Sequence, residues 1–81
     1  MEEAEKRQML TCIDALCRER GEIDAALLAR ELGTEAVRQV QAALDALEGE
    51  GLVVVNEYGF SCSVETMVEG LTEAGQALLR G

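Results

Sequence analysis

Apolar residues recur along this 81-residue chain at helical spacing first and at strand spacing later, and the change of period separates its elements. From Glu2 to Arg20, Met9, Ile13 and Leu16 share a stripe that runs on to Arg20 and is widened by Leu10 and Cys17. That pattern predicts an amphipathic helix. Glu2, Glu3 and Glu5 sit at the positive end of its dipole, Arg18 and Arg20 at the negative end, and Gly21 supplies a left-handed C-cap. Ile23 then precedes Asp24, a strong N-cap, and AALLAREL to Leu32 predicts a helix of about two turns stopped at Gly33. Thr34 is expected to cap the next helix, Glu35 to about Glu48, with Val37, Val40, Leu44 and Leu47 as its buried stripe. Gly49 and Gly51 end it.

Leu52 to Val55 is short and β-branched, which predicts a strand. Two courses follow from the turn formers Asn56 and Gly59. In one, residues 56–65 form a loop and Thr66 to Leu71 returns as the partner strand. In the other, a tight hairpin turns at Asn56–Gly59 and Phe60 to Val64 returns. Thr72 is expected to cap a last helix, EAGQALLR, with Leu78 and Leu79 pointing inward. Gly75 inside that helix costs about 1 kcal/mol relative to Ala, which implies a close packing contact there.

Composition narrows this to one small domain, residues 1–81, mostly α with a small β-hairpin. Its core must come from 24 Leu, Ile, Val, Met and Phe residues. His is absent, which removes the commonest general base and metal ligand. The three cysteines (Cys12, Cys17 and Cys62) are too few for an all-thiolate zinc site. Cys12 and Cys17 lie about 140° apart on a helix, so their sulfurs diverge. They are expected to be small core residues in a reducing, cytoplasmic setting, with no metal and no cofactor. Ser61, Ser63 and the thiols have no identifiable base beside them, so an enzyme is not expected. The start, MEEAEKRQ, has no apolar core and no apolar run exceeds the five residues Ala25 to Ala29, so neither a signal peptide nor a membrane span is expected.

The order of elements carries a resemblance. The segment IDAALLARELGTEAVRQVQAALDALEGEGLV, Ile23 to Val53, resembles the helix-turn-helix of MarR-like and related bacterial and archaeal winged-helix regulators. Leu28 and Leu32 would anchor its first helix, Ala29 permits close crossing, and Gly33–Thr34 make the turn. Leu44, Leu47, Gly51 and Leu52 look like that family's exit into the wing, and LTEAGQALL, Leu71 to Leu79, like the junction that closes it. The resemblance implies a winged helix-turn-helix: a three-helix core, a wing and a short C-terminal helix. It implies DNA binding too, with the second helix of the motif in the major groove. The face opposite the apolar stripe would do the reading: Glu35, Arg38, Gln39, Ala42 and Ala46, flanked by Gln41 and Asp45. Arg38 suits guanine and Gln39 suits adenine.

Charge points elsewhere. The chain carries 16 Asp and Glu against 7 Lys and Arg, net −9. Between Asp24 and Glu50 only Arg30 and Arg38 are basic, and Val53 to Leu71 contains Glu57, Glu65 and Glu69 but no cation. Such an edge repels phosphate, whereas binders gain affinity by neutralising several phosphates. The expected function is therefore a protein-interaction module or regulator subunit using Glu35, Arg38, Gln39, Ala42, Asp45 and Ala46. Duplex DNA is the alternative partner and plain solvated surface the bland one. Apolar positions beyond the needs of one core (Leu10, Cys17, Leu79) suggest a homodimer through the first and last helices.

Overall fold

A computed structural model describes residues 2–60 and 63–81. Among them are α1 (Glu3–Arg20), α2 (Ala25–Glu31), α3 (Val37–Gly49), β1 (Val53–Phe60), β2 (Ser63–Leu71) and α4 (Glu73–Arg80). The protein is mostly helical with an antiparallel hairpin, as composition and periodicity predict.

Helix α1 buries Met9, Leu10, Ile13 and Leu16. Burying those four side chains contributes about 6–12 kcal/mol, whereas the exposed Arg7–Glu3 and Arg18–Asp14 pairs add about 0.5 kcal/mol each. Packing holds this helix. Helix α2 starts where Asp24 accepts a hydrogen bond from the Leu27 N–H at 2.8 Å, as its N-cap position predicts.

Helices α2 and α3 end in the same way. After α2, the Thr34 N–H donates to the Ala29 carbonyl at 3.0 Å and the Gly33 N–H to the Arg30 carbonyl at 3.1 Å. After α3, Leu52 donates to Leu47 at 3.0 Å and Gly51 to Glu48 at 2.9 Å. Both are Schellman closures, and both put glycine at φ +74°, where a side chain is strained.

The start of α3 departs from expectation. The helix begins at Val37 rather than Glu35, because the Thr34 hydroxyl accepts from the Ala36 N–H at 3.1 Å and makes a local turn instead of capping a helix. Glu35 thus precedes the helix. Val37, at the helix's first position, is 39% exposed, and the buried stripe is Val40, Leu44 and Leu47 alone.

The hairpin follows the first anticipated course in its return strand, since Thr66 to Leu71 lies within β2 and pairs with β1, but it does not make the loop expected between them. Residues 56–59, expected to be loop or turn in both courses, instead continue β1 and pair with β2: Asn56 with Met67, Glu57 with Thr66, Tyr58 with Glu65. The strand carries these polar residues because the Asn56 amide donates to Glu22 at 3.2 Å and to Glu69 at 3.0 Å, and the Tyr58 hydroxyl donates to Glu22. The tip, including Ser61 and Cys62, lies outside the described residues. Register shifts between Val54 and Val55, which pair with Gly70 and Val68 and leave Glu69 as the extra residue of a bulge. Val53, Val68 and Leu71 face the core, while Val54 and Tyr58 are exposed on the other side. Ile23, expected only to precede a helix cap, forms a β-bridge to Val68 that ties the end of α1 to the hairpin.

Helix α4 crosses the hairpin base. The Thr72 hydroxyl accepts from the Gly75 N–H at 3.1 Å, as a cap should, and also donates to the Gly51 carbonyl at 2.6 Å. Leu78 and Leu79 are only half buried against the core. A single cluster of buried side chains joins α1, α2, α3 and both strands.

Candidate interaction face

Because α3 buries Val40, Leu44 and Leu47, its opposite side presents Arg38, Gln39, Ala42, Asp45 and Ala46, all exposed as expected. Gln41 sits half buried at the flank, and its amide donates to the Asp45 carboxylate at 3.1 Å. Glu35 is exposed too, but in the turn before α3, so it is not part of the helical face.

Beside this face runs a groove of about 500 Å³ between the start of α2, α3 and β2. Asp24, Asp45 and Glu65 line it with Gln41 and Thr66, over a floor that includes Ala25. Three carboxylates line it and no cation does. Asp45 and the flanking Gln41 are thus the only expected positions that reach the groove; Arg38, Gln39, Ala42 and Ala46 lie outside its lining. Asp24 and Glu65 were legible only as a helix cap and as one of several acids beyond the strand. No local signal brings residues 24, 45 and 65 together; the fold does.

The cations lie elsewhere. Lys6 pairs with Glu50 at 2.6 Å, Arg18 with Asp14 at 3.2 Å and Arg7 with Glu3 at 3.7 Å, all from α1. Among the described residues Arg38 makes no ion pair. On the outer face of the hairpin, Glu22, Asn56, Tyr58 and Glu69 form a hydrogen-bonded cluster. The bond to Glu22 favours the neutral phenol and pushes the Tyr58 hydroxyl above its usual pKa, helped by burial and by the charges of Glu22 and Glu69.

Neither described cysteine is a poised nucleophile. Burial first, then the charge of Glu31, pushes the Cys12 thiol up. Burial first, then Asp14, Glu22 and Glu69, does the same to Cys17, which donates to the Val68 carbonyl at 3.4 Å. Both are half buried, less enclosed than the core role expected of them. Among the described residues no group of three or more potential metal ligands gathers, and no helix is long and apolar enough to cross a membrane.

The apolar surplus expected to drive dimerisation through α1 and α4 is smaller than the sequence suggests. Leu10 is fully buried within the single chain and Cys17 is spent on the hairpin, which leaves Leu79 in a shallow crevice of about 220 Å³. The chain matches no protein-family model, and no curated protein matches it.

Proposed function

We propose that this chain is a winged helix-turn-helix domain working as a protein-interaction module, with the groove between α3 and the hairpin taking a positively charged segment of a partner protein. The helix order, the tight turn between α2 and α3 and the Ile23–Val68 bridge to the hairpin support the fold reading. The observation that carries the function is the groove lining: Asp24, Asp45 and Glu65 without a cation. A lysine or arginine there meets three carboxylates, whereas a phosphate meets only repulsion. Ala42 and Ala46 beside the groove leave room for another backbone to approach.

The second reading, a DNA-binding regulator, rests on Arg38 and Gln39, which stand exposed and adjacent on the first turn of α3. Against it, the strands contribute no cation, whereas a DNA binder gains its affinity by neutralising several phosphates. Fluorescence anisotropy with a labelled Lys/Arg-rich peptide and a labelled duplex separates the two. Peptide binding that weakens in Asp45→Asn and Glu65→Gln, without retention of the duplex, is the expected result. Saturable duplex binding at moderate salt, lost in Arg38→Ala with the fold intact, overturns it.

A further inference from the structure

The outer edge of β1 is open. Val68 exchanges both backbone hydrogen bonds with Ile23, donating at 2.7 Å and accepting at 2.9 Å. In an antiparallel sheet the N–H and C=O of one residue point to the same side, so Val68 directs neither toward β1. Its partner Val55 therefore belongs to a non-hydrogen-bonded pair, with its own N–H and C=O pointing away from β2. Alternation gives Glu57, opposite Thr66, the same outward orientation. Among the described residues no backbone group of another element bonds to this edge. Little blunts this edge: Val53 to Gly59 contains neither Pro nor Lys, the bulge lies on β2, and the single charge of Glu57 is the one device present.

We propose that this edge pairs antiparallel with β1 of a second copy of the chain, about a twofold axis at Asn56, to form one continuous sheet. The position of the axis follows from three residues. Centred on Glu57, it would set two like carboxylates directly opposite one another, which destabilises a strand pair. Centred on Val55, it would bring Tyr58 opposite Leu52, beyond the strand. At Asn56, Val55 of one copy and Glu57 of the other exchange both backbone bonds and satisfy the open groups. The same register places Val54 opposite Tyr58 of the second copy. These are the exposed large apolar residues described on the hairpin, at 38% and 42%, and an aromatic residue opposite a β-branched one is a favourable cross-strand pair. The Tyr58 hydroxyl, bonded to the Glu22 carboxylate at 2.7 and 2.8 Å, keeps the ring on that face. The inference rests on the sheet edge alone and is independent of the groove.

A single strand pair buries less than the roughly 1,200 Å² of a stable complex, so the expected dimer is weak and its population depends on concentration. Each copy carries −9, so screening the mutual repulsion with salt tightens the dimer, the opposite of an interface built on ion pairs. Sedimentation velocity from about 5 to 500 µM, at low and high salt, reads this directly. The expected result is a monomer–dimer equilibrium that tightens several-fold at high salt. Hydrogen exchange should protect the Val55 and Glu57 amides only at high concentration, and the Asn56 and Tyr58 amides throughout. Glu57→Pro removes one outward N–H, spares the bonds to β2 and should abolish the dimer with the fold retained. Glu57→Thr, an ordinary strand substitution, should tighten it several-fold. A monomer at every concentration overturns the proposal. So does a dimer that Glu57→Thr leaves unchanged, or one in which the Val55 and Glu57 amides exchange freely.

Discussion

The backbone carbonyl oxygen of Leu52 occupies the space in which a side chain on Gly75 would begin. That contact sets how closely α4 lies on the start of β1, and it explains a glycine inside a short helix. Gly75→Ala would gain about 1 kcal/mol of helix propensity, but overpacking against an immobile main chain costs about 1–3 kcal/mol or more. Because the obstacle is a main-chain oxygen, the cost lies at the upper end of that range, and the net expectation is a loss of about 2 kcal/mol, or about 8–16 °C in melting temperature for a domain of this size. Thermal circular dichroism decides it; an unchanged or raised melting temperature would contradict the contact.

Thr72 makes two hydrogen bonds with one hydroxyl, capping α4 through Gly75 and holding the Gly51 carbonyl at the end of α3. Thr72→Val keeps the shape and loses both, at a cost of about 1–2 kcal/mol. Thr72→Ser should recover most of it. Denaturant unfolding of the two variants tests this, and equal midpoints would show that the hydroxyl contributes nothing.

Tyr58 is the only tyrosine, so its ionisation can be followed by ultraviolet absorbance without interference. The titration midpoint should lie above the ordinary phenol value of about 10, and Glu22→Gln should move it back down, because the carboxylate that accepts the hydroxyl proton is the leading cause. The sign for folding follows. A group whose pKa is raised on folding contributes stability below its unfolded value and loses it as pH climbs through the folded one. Stability contributed by this bond is therefore constant near neutrality and declines in alkali above pH about 10. A midpoint equal to that of free tyrosine would remove the bond.

The thiols of Cys12 and Cys17 should alkylate slowly. With Cys62→Ser, which lies outside the described residues, as background, iodoacetamide at neutral pH should modify both several-fold more slowly than glutathione, since burial and nearby carboxylates oppose the thiolate. Rates matching glutathione would refute that surrounding.

Caps and stops were readable from local chemistry. Asp24 and Thr72 cap the helices they precede, and Gly33 and Gly51 close the ones they follow, because each acts within a few residues of itself. The failures were of longer reach. Thr34 satisfies a turn as readily as a helix, and nothing nearby announces which. Asn56 looks like a turn former until Glu22 and Glu69 arrive from distant segments to take its amide protons. The Ile23–Val68 bridge spans 45 residues and leaves no periodic trace. The exposed face of α3 followed directly from its buried stripe, whereas the groove beside it depends on α2 and the hairpin meeting.

Val68 and Leu71 are both buried although an odd number of steps separates them, and an uninterrupted strand would have turned one of them outward. The supernumerary Glu69 restores the phase. Deleting that one residue would invert everything that follows, swinging Leu71 into solvent and carrying the whole C-terminal segment round with it. Natural variation in the length of this hairpin is accordingly expected at its far end, where growth or shrinkage leaves the inward and outward sets unexchanged.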